Sequence, residues 1–290
     1  MPRLEILKTY KIYIGGQFPR TESGRYYVLN DQKGLALANV CLSSRKDVRN
    51  AVVAARKAQG AWSERAVFNR SQILYRIAEM TEGRRDQFIQ ELIKQGISQK
   101  QAIEEIDLAI DRIVYYAGWA DKYQQIASSV NPVASSHFNF SVLEPMGVVG
   151  IIAPADTSLI GLVSLLLPVI TGGNTAVLVA SEKLPLCAIT FAEVLNSSDV
   201  PGGVVNILTG SSAELSPTLA SHMDVNALVG EKLEVNLIQV EAVENLKRVI
   251  SFDADWSAPA AQGMHYITDV QEVKTTWHPI ENIGGATSSY

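Results

Sequence analysis

The sequence predicts an α/β protein whose parallel sheet is covered by helices on both faces. Three observations carry this. From Gly147 onward, short runs that are apolar at every position, such as VVGIIAP (148–154) and NTAVLVA (174–180), alternate with helical patterns. A strand with no polar face needs cover on both sides. Upstream, residues 44–126 repeat apolar side chains at three- and four-residue spacing, the period of amphipathic helices. HFNFSVLEP (137–145) alternates every second residue instead, with Phe138, Phe140 and Val142 on one side, as a half-buried strand does.

In chain order, KIYIGGQFPRTESGRYYVLN (11–30) reads as a β-hairpin, with Gly15-Gly16, Pro19 and Gly24 as turn residues. A helix follows over 44–62, with Val48, Val52 and Ala55 on one face and Ser44 or Asp47 as its cap. Residues 70–95 continue as a second helix and 99–126 as a third, where Ile103, Ile106, Ile110 and Ile113 recur as core packing. Strands at 148–154, 174–180, 203–210 and 225–230 enclose helices at 158–171, 185–197 and 212–222. Right-handed crossovers turn this alternation into a Rossmann-like parallel sheet. The pairs Gly172-Gly173 and Gly202-Gly203 stand before strands and read as helix-ending turns. The tail carries a helix-like EVNLIQVEAVENLKRV, a loop SFDADWSAPAAQG, a strand within 264–280 and a Gly/Ser-rich end.

Composition narrows the function classes. With 290 residues, 47% hydrophobic and 19% charged, the chain can bury a sizeable core without staples. A net charge of −5 gives no footing for nucleic acid or an anionic membrane. The apolar stretch from Leu159 to Ile170 is broken by Gly161, Ser164 and Pro168, too short for the roughly 20 residues of a membrane span. The amino-terminal MPRLEILKTYK lacks a signal-peptide core. The expectation is a cytoplasmic protein.

Few residues offer chemistry. Cys41 and Cys187 are far apart, and neither has a basic neighbour in sequence; both read as buried, inert thiols. His137, His222, His265 and His278 form no metal-binding spacing. Thr209-Gly210-Ser211-Ser212 follows a strand and opens a helix, so its backbone N–H groups face either an anion or an ordinary serine cap. Glu182, after the second parallel strand, sits where an acid accepts ribose hydroxyls.

Taken together, EPMGVVGIIAP, GGNTAVLVASEKLPLCAITFAEVL and VPGGVVNILTG resemble the cofactor-binding half of the aldehyde dehydrogenase superfamily. The resemblance covers about residues 1–230, with an echo at 264–280. It implies a Rossmann-like domain without the usual glycine fingerprint, binding NAD or NADP, with Glu182, Thr209, Gly210 and Ser211 as cofactor-binding candidates. It also implies that 137–147 and 264–281 are oligomerisation strands, a small β oligomerisation arm. They flank a layer over 148–263, after an amino-terminal part over 1–136 and before a flexible tail over 282–290.

The departures bear on activity. Where the family has Pro-Trp-Asn-Phe-Pro, whose Asn helps hold the oxyanion, this chain has Pro154-Ala155-Asp156-Thr157-Ser158, and a carboxylate cannot donate to an oxyanion. The family's Lys-Pro-Ala-Glu becomes Val179-Ala180-Ser181-Glu182, keeping the Glu and losing the Lys. The Phe-Thr-Gly-Ser turn shrinks to Leu228-Val229-Gly230, and the Glu-Leu-Gly-Gly base motif has no counterpart beyond the nearby acid Glu244. After FDADW the chain passes within a few residues to the closing EVKTTWHPI, so the resemblance implies that the domain bearing the nucleophilic cysteine is missing. The expected function is therefore a structural or regulatory subunit with no catalytic residues. It would form a homo-oligomer, or a hetero-oligomer with a full-length aldehyde dehydrogenase, through the edge strand at 270–280 and an apolar face left bare by the missing domain. The alternative is an NAD-binding oxidoreductase contributing to aldehyde oxidation.

Overall fold

The computed structural model describes residues 6–280. The amino-terminal part contains β1 (Thr9–Tyr10), β2 (Tyr26–Asn30), β3 (Ala36–Cys41), α1 (Arg45–Ser63), α2 (Val67–Glu82), α3 (Arg85–Lys94), α4 (Gln99–Trp119) and α5 (Tyr123–Ala127). Next come β4 (Ser129–Asn131) and β5 (His137–Pro145), and then the alternating layer: β6 (Val148–Ile152), α6 (Ile160–Thr171), β7 (Thr175–Val179), α7 (Leu186–Ser197), β8 (Val205–Leu208), α8 (Ser212–Ser221), β9 (Ala227–Glu231), α9 (Val235–Glu241) and β10 (Arg248–Phe252). The chain closes with α10 (His265–Thr268) and β11 (Gln271–Pro279).

The central sheet is parallel throughout, with strand order β10-β9-β6-β7-β8. The chain starts at β6, moves outward through β7 and β8, then crosses back to β9 and β10. The order therefore reverses between β6 and β9, where a crevice opens beyond the carboxyl ends of the strands. β6 and β7 are buried at every residue, as their unbroken apolar runs require. Two cores lie on opposite faces. One includes Leu74, Ile106, Ile113, Leu166 and Phe191; the other includes Val48, Val52, Val177, Val179 and Leu215. Each such side chain contributes about 1.5–3 kcal/mol of transfer free energy.

Several elements differ from the sequence reading. Residues 11–30 do not form a hairpin. Tyr13 bridges Ile207 of β8 in antiparallel fashion, closing that edge of the parallel sheet, while the true hairpin is β2–β3. The Gly15-Gly16 turn packs so tightly on Gly202 that a Cβ on Gly202 would stand 2.7 Å from the Gly15 carbonyl. The 70–95 helix breaks after Glu82, where the Gly83 N–H caps α2 through the Glu79 carbonyl. The 99–126 helix likewise ends at Trp119 before α5. RVISF, read as the end of a helix and the start of a loop, is β10, because the open edge of β9 offers a full parallel ladder. Residues 265–268 are helical rather than extended, and β4 joins the arm, whose order is β11-β5-β4. In β5 the apolar side is the open one: Phe138 is exposed while Asn139 and Leu143 are buried. The expected tail at 282–290 lies outside the described residues.

The segment after β10 packs back onto the helices behind the sheet. Trp256 is 3% exposed and packs with Phe252 and Tyr266, their rings 4.6–6.3 Å apart. Arg112 of α4, itself buried, donates to the carbonyls of Ala261 (2.6 Å) and Trp256 (3.1 Å) and to Ser164 Oγ. Burial holds this guanidinium below its usual pKa. The large apolar side chains left open include a group around α9, Leu237, Val240, Val243 and Leu246. Arg112→Ala would strand three buried acceptors and is expected to cost about 3 kcal/mol. The urea midpoint checks this, and an unmoved midpoint would mean that the segment is held by other contacts.

At the amino-terminal rim of the sheet, Lys247 donates to the carbonyls of His222 (2.8 Å) and Val225 (2.7 Å). Burial pulls its pKa down to about 8. Between that value and the ordinary lysine range, the unfolded chain binds more protons than the folded one, so stability contributed at this site rises with pH. Denaturation curves of wild type and Lys247→Met, compared from pH 7 to pH 10, should show a shallower rise in the variant.

Candidate functional site

The carboxyl rim of the sheet brings the sequence candidates together in part. Asp156 follows β6, Glu182 and Lys183 follow β7, Thr209 to Ser211 follow β8, Glu231 and Lys232 end β9, and Asp253 follows β10. Ile152, Val179 and Leu208 lie side by side in register. Asp156 thus neighbours the Glu182–Lys183 turn, with the 209–211 turn beyond it. Glu244 precedes β10 and lies at the opposite rim, about 17 Å away along a five-residue strand. Asp253, after the edge strand β10, stands on the same rim as Asp156, Glu182 and Glu231.

The loop after β6 is tied down along its length. The Ala153 N–H donates to the Val179 carbonyl at 2.9 Å, and Ser181 Oγ donates to the Ala155 carbonyl at 2.8 Å. Asp156 pairs with Lys183 at 2.8 Å. That hydrogen bond and charge hold the carboxyl below its usual pKa, so Asp156 is ionised and only accepts. Ser158 Oγ donates to the Leu184 carbonyl at 2.8 Å. The decisive contact is at the head of α6, where the N–H groups of Ser158 (3.1 Å), Leu159 (2.7 Å) and Ile160 (3.1 Å) all donate to Glu105 Oε1. Helix N-termini of this kind are ready anion sites, and α4 supplies the anion from within the chain.

Other groups on this rim are also tied within the chain, though the heads of α8 and α9 have no side-chain cap. Leu184 N–H donates to Ser181 Oγ and Leu186 N–H to Gln95 Oε1, both at 3.0 Å. In α8, Glu214 occupies the first turn and pairs with Arg25 at 2.9 Å. Leu233 N–H donates to Ser251 Oγ at 2.8 Å. Thr209 is fully buried, and its hydroxyl donates to the Cys41 carbonyl at 2.6 Å. Gly210 has φ +139°, and a Cβ there would stand 3.1 Å from the Ser43 nitrogen. These two residues join β8 to the entry of α1. Ser211 is the N-cap residue of α8. Glu182 is exposed, and its backbone carbonyl accepts from Tyr27 Oη at 3.3 Å. Val179 is fully buried in the core beneath the sheet. Lys232, in the left-handed region at φ 47°, pairs with Asp253 at 3.3 Å and Glu231 at 3.8 Å.

Cys187 is fully buried within α7. Burial, followed by the Glu91 carboxylate, pushes its thiol pKa well up. Gln95 Nε2 lies 3.9 Å from its sulfur and 3.2 Å from Ser158 Oγ. Glu91, also raised by burial, accepts from Thr190 Oγ1 (2.6 Å) and Tyr10 Oη (2.8 Å). These groups knit α3 to α7 and leave no thiolate at the crevice. Among the described residues, no three His, Cys, Asp or Glu side chains stand close enough to hold a metal ion. None of the described helices is long and apolar enough to cross a membrane. Glu105, Lys183, Lys232 and Asp253 escaped the sequence reading; only the last three carried a signal, as charges at strand ends.

Residues 18–251 match the Aldehyde dehydrogenase family. The chain belongs to the aldehyde dehydrogenase family. A putative aldehyde dehydrogenase, DhaS, of Bacillus subtilis is 33% identical over 248 residues, covering 83% of this chain and 50% of that protein. Cytosolic 10-formyltetrahydrofolate dehydrogenase of Xenopus laevis is 31% identical over 249 residues, 83% of this chain and 28% of that one. Among solved structures, an NAD+ complex of the aldehyde dehydrogenase from Bacillus cereus superposes with a TM-score of 0.79 at 27% identity, covering 84% of this chain and 50% of that chain. The chain therefore spans half or less of these relatives' length. In this aldehyde dehydrogenase relative both cysteines are buried. An aromatic disulfide reagent should label neither Cys41 nor Cys187 in the native protein and both after unfolding. A rapidly labelled native thiol would contradict the burial.

Proposed function

We propose that this chain is a non-catalytic member of the aldehyde dehydrogenase family, a structural or regulatory subunit that pairs with a full-length aldehyde dehydrogenase. The observation that carries the reading is the head of α6, filled by Glu105, beside an ionised Asp156 where the family places a donor. Acyl-transfer chemistry needs a thiolate, an oxyanion donor and a base in one place. Here the nearest thiol is buried and protonated, and the acid after β6 repels an oxyanion. The rim also suits a dinucleotide poorly. The head of α6 is engaged by Glu105 and the first N–H of α7 by Gln95, and Asp156, Glu182, Glu231 and Asp253 outnumber Lys183 and Lys232. Association would use the arm, whose strand β11 is an edge.

A second reading, an NAD-binding oxidoreductase, draws on the exposed Glu182 and on the likeness to the Bacillus cereus NAD+ complex. Restoring a lysine by Val179→Lys would place a charge in a dry core, so the sounder probe is Glu182→Ala. The purified chain, given NAD or NADP with aliphatic and aromatic aldehydes, is expected to form no reduced cofactor, and Asp156→Asn should not restore any. Cofactor reduction that Cys187→Ser abolishes would overturn the non-catalytic reading. Cofactor binding lost in Glu182→Ala would favour the second.

A further inference from the structure

Lys247 is half-buried against the turn that joins α8 to β9. Its amine donates to the His222 carbonyl at 2.8 Å and to the Val225 carbonyl at 2.7 Å. Among the described residues no carboxylate pairs with it, and burial pulls its pKa down to about 8. An ammonium has three N–H groups to place and a neutral amine has two. Two carbonyl acceptors and no acid therefore suit the neutral form. A desolvated lysine of this kind is a nucleophile through its lone pair.

The charged groups around this amine are mostly cations. Arg56 of α1 holds the same turn, donating to the Asp224 carbonyl and to Asn226 Oδ1, both at 2.7 Å. Arg49 lies two helical turns earlier on the same face of α1. His222 is held below its usual pKa, first by burial, with Asp224 opposing, and then by Lys247, Arg49 and Arg56. All three cations therefore stand near that ring. The acid of the turn, Asp224, is exposed and lies 3.5 Å from Arg56 Nε. That Nε is buried and makes no hydrogen bond.

We propose that Lys247 takes up carbon dioxide as a carbamate, stabilised by the arginines of α1. The amine nitrogen attacks the carbon of CO2 and an N–C bond forms. One C=O electron pair moves onto oxygen, and one N–H proton leaves to water. The product is an anion beside Arg49 and Arg56, with the unfilled Arg56 Nε as a donor nearby. Its remaining N–H serves the His222 carbonyl. The Val225 carbonyl keeps its second donor, Asn245 Nδ2 at 3.3 Å. The turn thus loses no satisfied acceptor. Other electrophiles fit less well. The neutral imine of an aldehyde has no N–H and strands the His222 carbonyl, and its protonated form adds a cation beside the arginines. An amide from an acyl thioester keeps one N–H but brings no charge for the arginines to meet.

The test is chemical trapping of the carbamate on the full chain. The protein is equilibrated with isotope-labelled bicarbonate and dissolved CO2, ethylated with triethyloxonium ion, digested and read by mass spectrometry. The labelled ethyl carbamate is expected on Lys247 and not on Lys100, an exposed lysine of α4 that serves as the internal control. Lys247→Arg can still donate to both carbonyls and should lose the label while keeping the wild-type circular dichroism. Arg56→Gln should lower the label on Lys247 by up to about fivefold, the range of a solvent-accessible ion pair. Arg49→Gln, which removes charge without breaking a hydrogen bond of the described residues, should lower it in the same direction. No label on Lys247, equal labelling of Lys247 and Lys100, or labelling untouched by both arginine variants would overturn the proposal.

Discussion

One carboxylate oxygen organises the functional end of this molecule. Glu105, a third of the way along α4, accepts three consecutive N–H groups at the head of α6. Each charge-assisted bond of this kind is worth roughly 1.5–3 kcal/mol, and the helix dipole adds to it. The contact fixes α6 to the helical layer behind it, and α6 is the crossover that leaves the central strand. The loop between β6 and α6 is then held at both ends. Ser181, Lys183 and Leu184 complete its polar accounting from the next strand's turn.

The same contact removes what the crevice would otherwise offer. A switch point in a parallel sheet presents unpaired helix-head N–H groups, and most folds of this class use them to hold phosphate. Here those groups are satisfied internally, and the charges around them pair with one another. Beyond β10, Arg112 pins the segment around Trp256 onto α4 and α6. At the head of α6 the rim is committed to the chain's own structure.

Much of this was legible in the sequence. The strands β6 and β7 announced themselves because a stretch with no polar face has to be covered on both sides. Ser44 and Asp47 marked the start of α1 because an acid three residues into a helix reaches back to the cap N–H, as Asp47 does at 2.8 Å. What stayed hidden depended on partners distant in the chain. RVISF carries the tail of a helical pattern, and only the open edge of β9 makes it a strand. Tyr13 lies in a turn-rich stretch, and its bridge to Ile207 spans most of the chain. Glu105 is one of two adjacent acids on a helix with many, and nothing local separates a side chain that caps another helix from one that faces water. Asp156 was read in sequence as an acceptor in a donor's place, and its lysine partner stood unremarked beside Glu182.

The account turns on whether the head of α6 is satisfied without a ligand. Hydrogen exchange at the amides of Ser158, Leu159 and Ile160, measured with and without NAD, asks this directly. The account predicts slow exchange in the protein alone, much faster exchange in Glu105→Ala, and no change when NAD is added to wild type. Fast exchange in the protein alone that slows when NAD is added would contradict it.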